Sequence, residues 1–229
     1  MKLGLGNAIT GGAVIAKSFQ LYSISLDGTN DIITTEADDT AAQMTYSFWL
    51  KSSTTGANKG VFGHGAVSEG AFHLNWSNKP LVYLGTNFYR FWANISAQDD
   101  DAWHHWLVYI DHTDPSNCVL HVDGSVVTTS TTATNGSLDA YSTALRIGGD
   151  GDSEFFAGNI DEFAVFTGDK TANSSTYYNS GTPTDLSGES GLVGYWRMEE
   201  GTGTSVADSS TNSNAGTLVN GPSWDTEIP

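Results

Sequence analysis

Beyond a Gly-rich N-terminal stretch, the chain consists of short segments of alternating apolar and polar residues that are separated by turn signals. One segment would place Tyr46, Phe48 and Leu50 on the same face of a strand, since side chains on a strand alternate with a period of two. The dipeptide Asp123-Gly124 joins two further segments and predicts a hairpin. Repetition of this pattern along the chain predicts an all-β fold built as a two-sheet sandwich.

The composition agrees with a β protein and limits its partners. Asp outnumbers Glu 18 to 8, and there are only 6 Lys, whereas helical proteins favour Glu and Lys. The best helix candidate, residues 170–180, ends at Gly181. The chain has 26 acidic and 9 basic residues and a net charge of −17. It is therefore not expected to bind nucleic acid through phosphates or to adsorb to anionic lipid.

Residues 1–18 lack strand alternation, so we expect an arm outside a single sandwich domain that spans residues 19–229. Such an arm is either frayed or ordered by a partner on which it docks. Glycines and Asn7 interrupt its apolar residues, which argues against a signal peptide. No apolar run reaches the roughly 18–20 residues that a membrane-spanning helix needs, so membrane insertion is not expected. The single cysteine, Cys118, excludes an internal disulfide.

Five phrases occur in a specific order between about residues 20 and 180. They are Ser25-Leu26-Asp27-Gly28-Thr29-Asn30-Asp31-Ile32-Ile33, Tyr46-Ser47-Phe48-Trp49-Leu50-Lys51, Trp103-His104-His105-Trp106-Leu107-Val108, Leu120-His121-Val122-Asp123-Gly124 and Gly158-Asn159-Ile160-Asp161-Glu162-Phe163. In this order they resemble the laminin-G-like, concanavalin A-like jelly-roll superfamily of lectins and glucanases. The resemblance implies an all-β, two-sheet antiparallel jelly-roll sandwich with one short helix.

One departure from that family concerns the C-terminal segment. The phrase Gly191-Leu192-Val193-Gly194-Tyr195-Trp196 resembles the strand that usually opens such a domain, but here it comes last. Either the chain is permuted, with this segment completing the sandwich, or a truncated second domain begins here. We favour permutation, because so short a segment could not bury Tyr195, Trp196 and Trp224 by itself.

The acidic residues do not form a recognisable catalytic pattern. Retaining glycosidases place two carboxyl groups about 5–5.5 Å apart, and the glucanase pattern Glu-x-Asp-x-x-Glu is absent. Asp161 and Glu162 are adjacent, so on a regular strand they would face opposite sides. His104 and His105 would also point apart and could not chelate one ion together. We therefore expect a protein that is not an enzyme.

Calcium is the cofactor that the sequence favours, as a structural ion. Calcium binds six to eight oxygen ligands, which Asp-rich turns can supply. The resemblance implies a site near Asp31 and Asp161, together with Asp27 and backbone carbonyls. A second candidate includes Asp150 and Asp152 in a stretch that resembles the opening of a calcium loop, although it is not an EF-hand. The alternative is that these acidic residues only solvate turns.

Aromatic residues are dense between Phe72 and Trp92, where a glycan could stack on them. Alternation would place Trp76 with Phe72 and Leu74 on one face, and at least one face of this region must be core. The alternative for each aromatic residue is therefore packing inside the sandwich. The predicted ligand-binding residues are Trp76, Tyr83, Arg90, Trp92 and Asn75.

Together these features favour a non-catalytic binding or adhesion module that recognises surface glycans with calcium assistance. The alternative is a structural or decoration protein of a larger assembly, such as a phage particle, anchored by the arm of residues 1–18. A glycan hydrolase is the third interpretation. The expected partners are glycans or a protein assembly, and the expected location is outside the cell or on a particle surface. A homo-oligomer is compatible with the sequence.

Overall fold

The computed structural model of the chain describes residues 20–53, 59–65, 71–84, 89–132, 144–150 and 154–229. The predicted arm, residues 1–18, lies outside them. Within the described residues the chain forms two antiparallel sheets, which we call sheet 1 and sheet 2. The strands of sheet 1 are β1 (Ser23–Asp27), β3 (Gln43–Lys51), β8 (Trp103–Asp111), β9 (Val119–Val122), β10 (Ser125–Val127), β13 (Ala157–Thr167), β14 (Leu192–Trp196) and β17 (Ser223–Asp225).

The strands of sheet 2 are β2 (Ile32–Thr34), β4 (Gly60–Gly63), β5 (Ala71–Trp76), β6 (Lys79–Leu84), β7 (Tyr89–Ala93), β11 (Thr129–Thr132), β12 (Arg146–Ile147), β15 (Ser205–Val206) and β16 (Gly216–Val219). Their order in the sheet is β11-β7-β6-β5-β4-β12-β2-β16-β15. Sheet 1 has the order β10-β9-β8-β3-β13-β1-β17, and β14 also pairs with β13. The predicted all-β sandwich is therefore confirmed.

The core lies between the two sheets and is rich in aromatic rings. The ring of Phe48 from sheet 1 stacks on Phe163 with centroids 5.1 Å apart, and it meets the edge of Phe62 from sheet 2 at 5.7 Å. As alternation predicts, Tyr46, Phe48 and Leu50 are all buried in this core. Burial of such side chains stabilises the fold by about 1.5–3 kcal/mol each.

The C-terminal segment completes both sheets. Strand β14 pairs with β13, and β17 pairs with β1, so that Trp224 lies opposite Ile24. Strand β16 pairs with β2 in sheet 2. Residues Tyr195 and Trp196 are fully buried. Strands of this segment therefore pair into both sheets of the sandwich.

One short helix comes after β13, as predicted. A turn of 3-10 helix, Thr171–Asn173, leads into α1, Ser174–Tyr178. The helix ends earlier than Gly181, because Asn179 takes the left-handed conformation with φ 44° and caps it. The helix packs on the outer face of sheet 1, where Tyr177 stacks on Phe166. None of the helices in the described ranges is long and apolar enough to span a bilayer.

Candidate functional site

The outer face of sheet 2 carries a row of residues that the strand register brings together. His73 of β5 lies opposite Leu81 of β6, and Leu81 lies opposite Trp92 of β7. The neighbouring positions, Phe72 and Val82, point into the core. Because directly opposite residues in an antiparallel sheet share a face, His73, Leu81 and Trp92 belong to the outer face.

Trp76 joins this row although simple alternation would place it in the core. The pairing of β5 with β6 is irregular between His73 and Trp76, so the period of two is broken there. Phe72 and Leu74 are fully buried, as alternation predicts, whereas Trp76 is only partly buried. The rings of His73 and Trp76 meet edge to face with centroids 5.1 Å apart. The irregular pairing therefore moves one aromatic side chain from the core side to the outer face.

Four apolar side chains form a separate cluster on this face, which we call the aromatic patch. They are Ala71, Trp76, Leu81 and Trp92. Ala71 and Leu81 are buried, while the two indole rings are partly exposed and lie over them. The structure thus brings together two of the residues predicted to bind a glycan, Trp76 and Trp92.

The other three predicted ligand-binding residues, Tyr83, Arg90 and Asn75, are not members of the aromatic patch. The backbone register places positions Tyr83 and Arg90 opposite each other and opposite Ala71, on the same face as the patch. Their side chains lie outside the described part of the chain. Asn75 has a role within a turn, because its amide donates to Asp99 at 3.0 Å and its oxygen accepts from the backbone N–H of Asn78 at 2.9 Å. With 4% exposure, Asn75 holds the turn rather than facing a ligand.

A polar cluster borders the aromatic patch, and we call it the His73 cluster. Nδ1 of His73 lies 3.3 Å from Glu154, and its Nε2 lies 3.6 Å from Asp150. The backbone of each of the two acidic residues packs directly on β4. A Cβ at Gly60 would lie 2.5 Å from the carbonyl oxygen of Glu154, so only glycine fits there.

Sequence reasoning singled out Asp150 but missed His73 as part of this cluster. The histidine comes from β5, far from Asp150 along the chain, so only strand pairing brings the two together. The glycines of β4 are the one available sequence signal, since glycine within a strand often marks a close approach of another backbone. The ligand atoms of the cluster lie within 4.8 Å of one another, which suits a metal ion bound by one imidazole and two carboxylates. The further predicted ligand, Asp152, lies outside the described residues.

The structure does not bring together the acidic residues of the other predicted calcium site. Asp31 stays at the turn after β1, where its carboxylate accepts from the backbone N–H of Asp27 at 3.0 Å. Burial raises the pKa of Asp31 above its ordinary value. Asp27 lies opposite Ala157, four residues before Asp161 on β13, and this separation corresponds to about 13 Å along a strand. Asp31 and Asp161 therefore do not fit as ligands of one calcium ion.

Asp161 belongs instead to a group that we call the buried carboxylate cluster. Its members are Asp161, Glu162 and Glu199, whose ligand oxygens lie within 4.8 Å of one another. The expectation that Asp161 and Glu162 face opposite sides is wrong. One extra residue in β13 forms a bulge against β3, and Glu162 takes φ 50°, so the two carboxylates approach each other.

Burial dominates the electrostatics of this cluster. Burial raises the pKa of Glu162 to about 8, although hydrogen bonding from Tyr195 and the charge of Arg197 oppose the change. It also raises the pKa of Asp161 well above its ordinary value, with a further contribution from the charge of Glu162. Asp161 is 0% and Glu162 2% exposed. Carboxyl groups at this depth are poorly placed to reach a polysaccharide, whatever their separation.

The two adjacent histidines occupy different environments, as expected. His105 is 1% exposed and its Nε2 lies 2.9 Å from the hydroxyl of Ser47. His104 lies at the rim, where Nδ1 is 2.7 Å from Asp123 and Nε2 is 3.2 Å from Asp100. They do not converge on one ion.

A family model described as the Concanavalin A-like lectin/glucanases superfamily matches residues 26–174. Among solved structures, the chain is similar to a candidate carbohydrate-binding protein from Bacteroides ovatus, with 17% identity, a TM-score of 0.67 and coverage of 92% of this chain and 61% of that one. This chain thus spans about three fifths of the length of that protein. A comparison with curated proteins finds no match.

Two further solved structures share the fold. A heptameric pentraxin from Limulus polyphemus is 14% identical, with a TM-score of 0.55 and coverage of 72% of this chain and 84% of that one. Domain 4 of an extracellular arabinanase from Geobacillus stearothermophilus, solved with arabinotriose, is 18% identical, with a TM-score of 0.50 and coverage of 67% and 75%. At identities this low, the similarity to these structures concerns the fold alone.

Proposed function

The chain belongs to the concanavalin A-like lectin/glucanases superfamily, and from this membership we propose that it is a non-catalytic module that binds carbohydrate through the outer face of sheet 2. The carrying observation is the aromatic patch, where Trp76 and Trp92 both pack against Ala71 and Leu81 and stay partly exposed. A sugar ring presents an apolar face that stacks on an indole, and its hydroxyl groups need polar partners at the edge of the ring.

The surroundings of the patch supply such polar partners. The carboxylate of Glu154 retains 21% side-chain exposure next to His73, and His73 contacts Trp76. Positions Tyr83 and Arg90 share the same face by register. A patch that combines stacking surface with hydrogen-bonding groups at its border is typical of a carbohydrate-binding face rather than of a wholly apolar protein interface.

The comparisons support carbohydrate as the ligand class. The protein from Bacteroides ovatus is described as carbohydrate-binding, and the arabinanase domain was solved with arabinotriose. Absence of the glucanase acid pattern and the depth of Asp161 and Glu162 support binding without hydrolysis. We also propose that the protein acts outside the cell or on a particle surface, where such ligands are displayed.

We propose that calcium assists this binding through the two carboxylates of the His73 cluster, because calcium takes oxygen ligands and the imidazole would not be one of them. Asp150 and Glu154 offer carboxylate oxygens beside the patch, and an ion held there would carry positive charge to the edge of the ligand. A cation would also reduce repulsion between the two carboxylates in this acidic chain. The residues of this chain would then orient the ligand through Trp76 and Trp92.

The test is a glycan array that includes arabinan oligosaccharides, probed with purified full-length protein in calcium and in chelator. We expect binding to a defined glycan that falls at least about tenfold in Trp92→Ala, since truncating a stacked aromatic anchor often costs 2 kcal/mol or more. Trp224→Ala is the matched control, because this partly buried Trp lies in sheet 1. Loss of binding in both variants would point to unfolding and not to a lost contact.

Two other results would change the proposal. Equal glycan binding in calcium and in chelator would show that calcium does not assist binding. The proposal that the aromatic patch binds the glycan would then still stand. Absence of binding to any glycan, from protein shown to be folded, would favour the role in a larger assembly. Removal of residues 1–18 would then abolish incorporation into that assembly, whereas it should leave glycan binding unchanged.

A further inference from the structure

We propose that the outer face of sheet 2 binds the non-reducing end of a glycan chain and not an internal segment, a specificity that rests on the proposed carbohydrate-binding function. The face is closed on one side of the aromatic patch and open on the other. Asp150 and Glu154 form the closed side, and Asn94 and Ser130 form the open side.

The closed side lies over β4, where a second layer of backbone covers the sheet. A Cβ at Gly63 would lie 2.9 Å from the Cα of Asp150, and a Cβ at Gly60 would lie 2.5 Å from the carbonyl oxygen of Glu154. His73, on the adjacent strand β5, is 0% exposed although it belongs to the outer face. A glycan that lies across the strands therefore cannot continue from β5 over β4, because protein backbone already fills that space.

The open side lies at the other end of the same row of residues. Ser130 of β11 is directly opposite Trp92 and is exposed. Asn94, two positions after Trp92, is also exposed, and its Oδ1 accepts a hydrogen bond from the Ser130 hydroxyl at 3.2 Å. Among the described residues, β11 is the last strand of sheet 2 on this side. A glycan chain can therefore leave the protein across this edge.

Exposure increases along the row from the closed side to the open side. His73 and Leu81 are buried. Trp92 is partly exposed, and Ser130 is exposed. The row crosses three strand spacings from β5 to β11, about 14 Å, which gives room for a short oligosaccharide. The ring of Trp76 contacts His73 near the closed side, whereas Trp92 lies nearer the open side. The two stacking surfaces thus follow the direction in which the face opens.

The polar groups at the two sides suit different parts of a glycan chain. An ionised Glu154 carboxylate only accepts hydrogen bonds, and a terminal sugar offers it the hydroxyl that an internal sugar has lost to the glycosidic linkage. Asn94 can donate through Nδ2 and Ser130 can accept, so these two suit the oxygens of the sugars that follow. Because a surface glycan is attached through its reducing end, the end that can reach Glu154 is the non-reducing one.

Partial cleavage of a polysaccharide by an endo-acting hydrolase tests this specificity, because cleavage creates chain ends without removing glycan. The probe is the linear polymer of the oligosaccharide that binds most tightly on the glycan array, which is linear arabinan if an arabinan fragment is selected. Calorimetry with the full chain measures the moles of protein bound per gram of polymer. This quantity should rise in proportion to the number of chain ends. An unchanged quantity would show that internal segments bind and would overturn the proposal.

Two modified oligosaccharides identify the end that binds. Borohydride reduction of the reducing-end sugar should leave the affinity unchanged. A methyl group on the linkage hydroxyl of the non-reducing terminal sugar should lower the affinity at least about fivefold, since it removes a hydrogen bond to Glu154. The opposite pattern, with loss of affinity only after reduction, would overturn the proposal.

Asn94→Ala tests the direction in which the chain lies. It should weaken binding of an oligosaccharide long enough to reach β11 about fivefold, the effect of one lost hydrogen bond. It should leave the affinity for the shortest oligosaccharide that binds measurably unchanged. Asn30→Ala, at an exposed turn outside sheet 2, is the matched control and should bind as the wild type does.

Equal losses for the short and the long oligosaccharide in Asn94→Ala would overturn the proposed direction of the chain. Binding of internal segments would overturn the chain-end specificity but would leave carbohydrate binding by the aromatic patch intact. The proposed function itself fails on a different result, the absence of binding to any glycan by protein shown to be folded.

Discussion

The outer faces of the two sheets each carry a Trp next to a His, but only one of these pairs is covered. On sheet 1 the rings of Trp49 and His105 lie 5.2 Å apart, and Tyr178 of α1 stacks over Trp49 at 5.8 Å. On sheet 2 the rings of Trp76 and His73 lie 5.1 Å apart, and Trp76 stays partly exposed. The same residue types are thus covered on one face, while on the other the Trp side chain remains accessible.

The difference arises from the helical segment that packs on sheet 1. The helix α1 and the residues after it close the outer face of this sheet, where Leu107, Phe166 and Leu186 are buried together. Within the described ranges, the aromatic patch forms its own small cluster apart from the main core. An aromatic pair therefore indicates function only when its surroundings leave it accessible.

Trp49 and Trp76 should differ most in what each contributes to the free energy of unfolding. Trp49→Ala should lower the free energy of unfolding by about 3–5 kcal/mol, because it leaves a cavity under α1. Trp76→Ala should cost less, since part of its side chain is already solvated. Urea unfolding of both variants measures the difference. Equal losses would contradict the distinction between a covered and an accessible face.

The burial of His105 on the covered face of sheet 1 should also make the free energy of unfolding depend on pH. Burial lowers the pKa of His105 from 6.5 to about 3. Between these values the unfolded chain binds a proton that the folded protein does not, so stability should fall by up to about 1.4 kcal/mol per pH unit as the pH drops from 6.5 to 3. Urea unfolding at several pH values, with His105→Gln beside the wild type, measures this contribution.

His104 provides an internal control of opposite sign. Its hydrogen bond with Asp123 raises its pKa, so its contribution is present below pH 6.5 and is lost as the pH rises through the pKa of the folded state. His104→Gln should therefore reduce stability at low pH and have little effect at high pH. If both variants changed the pH dependence in the same direction, burial would not be the cause of the difference.

The smallest effect concerns the edge of the aromatic patch. Asn75→Ala should cost about 1 kcal/mol, because it removes the hydrogen bonds that hold Asp99 and Asn78. Glycan affinity should change much less than in Trp92→Ala. A large loss of affinity, without a loss of stability, would restore Asn75 as a ligand-binding residue.

Much of the fold could be predicted from local sequence patterns. Alternation located the core residues of β3, and the Gly-rich and Asp-rich turns separated the strands correctly. The short helix was also predicted, although its end was not, because an αL cap at Asn179 replaced the expected glycine. These features depend on neighbours along the chain, so the sequence contains the information directly.

The sites could be predicted only in part, because irregular strand pairing decided them. Alternation placed Trp76 on the same face as Phe72 and Leu74, which is the core side in the structure, whereas the irregularity after His73 turned Trp76 outward. Alternation also separated Asp161 from Glu162, whereas the bulge in β13 brought their carboxylates together. A shift of one residue in register moves a side chain to the other face, and a single sequence does not reveal where such a shift occurs.

The all-β class, the acidic character and the density of aromatic residues near Trp76 and Trp92 follow from the sequence alone. The contacts of His73 with Asp150 and Glu154, and of Glu199 with Asp161, arise only when the chain folds. Periodicity and composition are local, whereas these contacts join segments that are far apart along the chain. Their positions depend on register, bulges and the docking of the C-terminal segment.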